Sequence, residues 1–430
     1  LLLAPHRLGS FLAMAVLVAS GGWWAAVQAD RLTGALGLSY ALSPSLLHGT
    51  VMVFGFIPLY FAGFLFTAGP RWLGVPPPSA ASVAAPLLAQ ALGWLLWLAG
   101  GHLGASLALA GLLGAAAGLG GMTLIFWDLV RASRAEDRLH AKAVGCALVL
   151  GTACLAGVAA CVLLAQHGLA RAFVLTGLWG MVVAVYVTVA HRMIPFFTSS
   201  ALPLVQAWRP EWVLWLLLGV SGLGVAGAWL DAAQVTVPAL QLLRAGLALA
   251  AGVAVLALAW AWGLVQSLKV RLVGMLHLGF SWLGLGLVLD GVAQGAGWLQ
   301  GAPVLPLGAL HAVTMGCLGS LMLTMVTRVS CGHSGRAVVA DDLVWGLFWA
   351  LQAATVLRIG AALPQGPSAM LLALAGGTWA AVVTVWGVRY GSWYGRERGD
   401  GRPGWGVGAS PDPQPPDHPA QAAGGAGPGR

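Results

Sequence analysis

The chain has 430 residues, 59% of them hydrophobic and 8% charged, and its 21 Lys+Arg against 13 Asp+Glu give a net charge of +8. Soluble domains carry roughly a quarter charged residues, so this composition excludes an ordinary soluble domain and leaves a polytopic membrane protein. The positive balance then belongs to the membrane face it decorates and is no footprint for nucleic acid.

A membrane-crossing helix needs about 20 mainly apolar residues. On that basis the sequence predicts an all-α bundle of twelve spans, at 8–29, 46–68, 84–101, 103–127, 142–165, 169–190, 211–230, 239–266, 270–295, 304–327, 341–362 and 368–390. Leu8–Ala29 is too long for a cleaved leader and reads as the first span. Pro58 interrupts the second. Little more than Gly100–Gly101–His102 separates the third from the fourth, which predicts a tight hairpin. Pro195 is expected to end the sixth.

With twelve spans, 17 of the 21 Lys and Arg fall on one side, and only Arg31, Arg171, Arg244 and Arg358 on the other. Basic residues mark the cytoplasmic side, so both termini are expected there. Residues 1–390 form the membrane domain. The Gly/Pro-rich tail 391–430 cannot bury enough apolar area to fold and is expected to be a disordered cytoplasmic segment. The five cysteines form no C-x-x-C or C-x-x-C-H motif, which argues against disulfides and covalently attached haem.

Ionisable residues inside spans are costly and are the first candidates for function. His48 opens the second span at its outer end, and His311 enters the tenth from the same side. His277 enters the ninth from the opposite side, so the three predict two ligand levels. At about 100° per residue, Met315, Met322 and Met325 fall within roughly 40° of His311. One imidazole and three thioethers suit haem iron or copper, or the methionines simply pack. Gly274, Ser281 and Gly284 share the face of His277, leaving room for a porphyrin or for close helix packing. His191, Arg192 and His333 read as headgroup anchors. His102, His140 and His167 fall in loops and carry little weight. No carboxylate lies deep in a span, which counts against a proton pump.

Four blocks, HGTVMVFGFIPLYFAGFLFTAGPRWLG (48–74), HRMIPFFT (191–198), HLGFSWLGLGLVL (277–289) and LHAVTMGCLGSLMLTMVTRVSCGHSGR (310–336), resemble the NnrS family of bacterial membrane proteins. The resemblance implies a twelve-helix protein of the bacterial inner membrane that contains haem and copper and relieves nitric oxide stress in denitrification. It places ligand histidines on His48, His277 and His311, and motif positions on Arg71, Arg192, Arg328, His333 and Arg336. It also implies partners: the lipid bilayer, nitric oxide and a redox partner whose nature stays open. The family's usual H-x-H-E is here His48-Gly49-Thr50-Val51, so the second histidine and the acid are missing and a copper site built on them is in doubt. Two other readings stay open on the residues alone: a secondary transporter, which predicts inverted repeats and broken spans, and a haem-bearing electron-transfer subunit. The acid and electron route that turnover of nitric oxide would need are not visible in the sequence.

Overall fold

The computed structural model describes residues 4–363 and 367–401. Among these, twelve helices are long and apolar enough to cross a membrane, and no strand occurs. They are α1 (Pro5–Thr33), α2 (Pro44–Leu73), α3 (Ala80–Leu103), α4 (Ala105–Ala132), α5 (Leu139–Leu163), α6 (His167–Ala201), α7 (Glu211–Ala232), α8 (Pro238–Ala261), α9 (Arg271–Gln300), α10 (Gly308–His333), α11 (Asp342–Gly360) and α12 (Ser368–Tyr394). The twelve expected spans are therefore present, most of them longer than the apolar windows because polar ends stay helical beyond them. Large apolar side chains such as Leu92, Leu124, Trp260 and Val388 remain exposed on the outside of the bundle. That is the surface a multi-pass membrane protein offers to lipid.

The α3–α4 hairpin turns on the single residue Gly104. Its arms meet backbone to backbone: a Cβ on Gly93 would lie 2.5 Å from the Gly111 carbonyl oxygen. Small residues that let helices touch are the usual glue in a bilayer, where burial of apolar surface between helices gains little.

Pro58 does break α2. It has no N–H for the Phe54 carbonyl and its ring crowds that group. The chain turns at Gly55, dividing the helix into Pro44–Phe54 and Phe56–Leu73. A side chain at Gly55 would place its Cβ 2.3 Å from the Val51 carbonyl oxygen. Pro195 behaves otherwise: α6 runs through it to Ala201. Neighbouring helices and Ser or Thr side chains tolerate proline within membrane helices, so the expected stop at residue 195 is displaced by six residues.

Two spans depart from α geometry. Leu178–Val183 in α6 and Ala312–Gly319 in α10 are π-helical. Such segments insert one residue per turn and recur at functional sites. The second begins immediately after His311, and its extra residue turns the remainder of α10 by about 100° relative to a regular helix. The expected stripe of His311, Met315, Met322 and Met325 is thereby split. Met322 and Met325 line a cavity elsewhere in the bundle, while Met315 packs, partly buried, against the core.

The last helix continues to Tyr394, past the expected boundary at 390. Residues 395–401 then fold back on the end of α10, where the Gly399 N–H donates to the Ser334 carbonyl and Arg7 donates to the Arg396 carbonyl. The first turn of α1 and the segment 396–399 thus meet on one face. The remainder of the tail, with His418, lies outside the described residues.

Candidate functional site

At the end of the bundle opposite the termini, four helices bring a group of candidates together. The outer half of α2 supplies His48, whose ring stacks on Trp24 of α1 at 3.8 Å and 13°. Arg31, two turns further along α1, lies over the same indole at 5.4 Å from its centroid. His311 at the start of α10 and Arg358 near the end of α11 are both close enough for their charges to act on His48. His48 and His311 therefore lie within electrostatic reach of each other, as do the guanidiniums of Arg31 and Arg358. Trp24 and Arg358 carry no motif in the sequence; only the packing of α1 and α11 against α2 and α10 reveals them.

The hydrogen bonds fix which ring atoms can act as ligands. His311 Nδ1 lies 2.8 Å from the Leu307 carbonyl. A carbonyl only accepts, so Nδ1 carries the proton and the neutral ring keeps its lone pair on Nε2. A backbone carbonyl that holds one nitrogen and frees the other is the usual arrangement of a metal-ligating histidine. His48 Nδ1 is buried with no partner at all, which is uncommon for a polar atom in a folded interior.

The positions after His48 offer no further ligand. Thr50 is fully buried and its hydroxyl donates to the Leu46 carbonyl at 2.7 Å, while Val51 is part of the apolar core. Among the described residues no group of three or more His, Cys, Asp or Glu stands ready for a metal ion. Two imidazoles fall short of the four ligands a bare zinc or copper ion commonly takes. They suffice for haem iron, whose porphyrin supplies the other four donors. The donor set therefore fits haem better than a separate copper.

His277 belongs to a different level. It is fully buried on α9, with Nε2 2.8 Å from the Thr198 hydroxyl of α6. That hydroxyl donates to Ile194, so His277 Nε2–H is the donor to Thr198. Its Nδ1 has no hydrogen-bond partner. His277 is thus separated from the His48–His311 level and is held by Thr198, the last residue of the HRMIPFFT block.

On the face that holds the termini, the sequence reading needs correcting. His140 is not in a loop: it lies in the first turn of α5, 5% exposed, with Nε2 3.0 Å from His191 Nδ1. His191 is fully buried, and its Nε2 donates to the Pro210 carbonyl at 3.1 Å. His191 is therefore an interior link between α5, α6 and the segment before α7, not a headgroup anchor. Its neighbour Arg192 is half-buried and lies over Trp72 at 5.0 Å. Arg328 lies over Phe197 at 3.9 Å and Arg336 over Trp393 at 4.3 Å. His333 stacks on His6 at 4.1 Å, with Arg71, Arg398 and Arg7 around it. His6 carries no motif either, and its partner lies more than 320 residues away in the sequence.

The four quoted blocks thus lie on α2, α6, α9 and α10, the spans that carry both histidine levels. A family model described as NnrS protein matches residues 1–398. The chain belongs to the NnrS family. No curated protein matches it. Membership in NnrS covers all twelve helices and stops short only of the tail, so the family comprises the whole membrane bundle and not one motif within it.

Proposed function

We propose that this NnrS-family chain is a haem protein of the bacterial inner membrane that binds nitric oxide and relieves nitrosative stress, with the termini in the cytoplasm. The observation that carries this reading is the His48–His311 pair, two imidazoles with ligand-competent nitrogens within electrostatic reach of each other. Its charge environment adds support. The sequence leaves only four basic residues on the face opposite the termini, and two of them, Arg31 and Arg358, gather at this pair. A face otherwise stripped of basic residues keeps guanidiniums where an anionic group needs them, and the carboxylates of a haem are such a group.

Haem bound there would supply an iron position that takes nitric oxide, a small apolar molecule that reaches the site through lipid. The remaining work falls to side chains. The Leu307 carbonyl fixes the His311 tautomer, and the Trp24 ring fixes the plane of His48 and shields it from water. Arg31 and Arg358 hold negative charge at the membrane edge. His277, with its unpartnered Nδ1, is the second-level candidate. The missing second histidine and acid, replaced by packed Thr50 and Val51, argue for one cofactor at the outer level and against a separate copper.

The break in α2 does not favour transport. The Gly55 N–H is bonded to the Val51 carbonyl and the flanking Phe54 and Phe56 are buried. No unwound backbone is presented there for a substrate.

The test is an absorption spectrum of the detergent-purified protein, oxidised and dithionite-reduced, with metal analysis, beside His48→Ala, His277→Ala and His311→Ala. A Soret band that shifts on adding nitric oxide, and that vanishes in His311→Ala, is the expected result. A colourless, metal-free and folded protein would sink the reading.

A further inference from the structure

The face that holds the termini carries a histidine pair that the cofactor reading leaves unused. His6, in the first turn of α1, and His333, the last residue of α10, stack with ring centroids 4.1 Å apart and planes 28° from parallel. Among the described residues, no protein group hydrogen-bonds to either ring. Arg7, Arg71 and Arg398 are close enough for their charges to act on His333. Arg7 donates to the Arg396 carbonyl and is only 7% exposed. Arg398 donates to the His333 carbonyl and pairs with Asp400, its side chain 13% exposed. Arginines that merely decorate a membrane face stay in water; these are drawn in around two imidazoles.

Such a cluster suits an anion. Three guanidiniums repel a metal ion, and two rings stacked face to face do not point their nitrogens at a common iron. Asp400, the carboxylate paired with Arg398, offsets one of the three charges, and Glu397 of the same segment stays exposed. Each neutral imidazole brings one N–H, and the planar guanidinium forks match the oxygens of a phosphate. Depth selects what carries that phosphate. His6 lies where α1 begins, His333 where α10 ends and Arg71 in the last turn of α2, so three spans terminate around the pair. Polar headgroups lie at that level of a bilayer.

We infer that this cluster binds the phosphate of an anionic phospholipid headgroup, with Arg71 and Arg398 on its oxygens and the His6–His333 pair donating through ring N–H groups. Basic pockets between membrane helices hold lipid headgroups in this way. Arg71 and His333, motif positions to which the cofactor reading gives no task, thereby acquire one. The segment 395–401 becomes the strap that brings Arg398 to the site, fastened by the Gly399 N–H on the Ser334 carbonyl. The inference goes beyond metal binding and does not depend on it, since none of His48, His277 and His311 belongs to the cluster.

The full chain, purified in a non-ionic detergent, is titrated against phosphatidylglycerol carrying a fluorophore on one acyl chain, and binding is read from fluorescence anisotropy. Saturable binding is expected, displaced by unlabelled phosphatidylglycerol but not by phosphatidylcholine or millimolar inorganic phosphate. Arg71→Gln with Arg398→Gln should weaken it about thirtyfold. Removing two charges elsewhere on the same face, by Arg131→Gln with Arg134→Gln, should leave it unchanged. His333→Phe keeps the ring stack but loses the donors, and should weaken binding about tenfold. His311→Ala should bind the lipid as the parent does even if it loses all bound metal, which separates this inference from the haem reading. An equal loss in the Arg131 and Arg134 variant would reduce the site to the general attraction of a basic face. Displacement by inorganic phosphate would reassign it to a soluble anion, and an unchanged affinity in His333→Phe would remove the histidine pair from it; each overturns the proposal. His333→Phe decides the question even if the Arg71 and Arg398 variant fails to fold.

Discussion

Both ends of the bundle pair histidines from different helices, but they use the imidazoles in opposite ways. At the end holding the termini, His140 donates to His191 and His191 donates to the Pro210 carbonyl. The pair is a strut between α5, α6 and the segment before α7. At the other end, His311 gives up only Nδ1–H to Leu307, and His48 Nδ1 gives up nothing. The inner pair also keeps one unpartnered nitrogen, His140 Nδ1, but its two rings are bonded to each other, whereas the outer two are not. What distinguishes them is the set of acceptors that neighbouring helices happen to offer.

The strongest way to break this comparison is to exchange the expected losses. His311→Ala should remove the Soret absorbance completely, while His191→Ala should leave it at full intensity per protein; the reverse pattern would reassign the cofactor to the inner pair. His191→Ala should instead destabilise. It strands the His140 donor and the Pro210 carbonyl, at a cost of about 1–3 kcal/mol for buried groups left unmet, visible as an earlier thermal unfolding midpoint in detergent. Arg358→Gln is a gentler probe of the outer level. It removes a guanidinium but keeps a polar side chain, and should raise the dissociation constant for added haem about tenfold if the charge contributes a charge-assisted hydrogen bond.

The smallest effect lies outside both levels. Asp341 caps α11 by accepting from the Val344 N–H at 3.1 Å and pairs with Arg389 of α12. The Arg389 hydrogen bonds hold its carboxyl below the usual carboxylate range. A depressed folded value stabilises above the unfolded value of about 3.9 and is lost as pH falls through the folded one. Asp341→Asn should therefore lower the unfolding midpoint slightly at pH 7, and the gap to the parent should close below about pH 4. A gap as wide at pH 3 as at pH 7 would place its origin in the cap and not in the charge.

The twelve spans were legible because each stores its own signal: enough consecutive apolar residues to cross a bilayer, with basic residues between them. The tight hairpin and the break near Pro58 were legible for the same reason, since glycine and proline act on their own helix, although the turn falls at Gly104 and the expected Gly100–His102 are helical. What stayed hidden depends on other helices. Thr198 beneath His277, Trp24 on His48 and His6 on His333 are each contributed by a separate span, so no spacing within one helix announces them. The methionine stripe failed for a subtler reason. It assumed a constant 100° per residue across 312–319, and side-chain identity does not reveal that the backbone there takes an extra residue per turn. His140 was missed because charged neighbours at 136–138 made its surroundings read as a loop, whereas α5 begins at Leu139.

That π-helical stretch also has a consequence for how such a protein can change by mutation. His311 stands at its start, and the helix beyond it carries Met322, Arg328 and the closing loop. Losing one codon anywhere between Ala312 and Gly319 would relax the segment to ordinary α geometry and alter no retained side chain. Yet it would swing His311 about 100° around the axis relative to everything downstream. The placement of His48 against His311 is thus written in the number of residues as well as in their identities, and a length change of one is a larger event here than most substitutions.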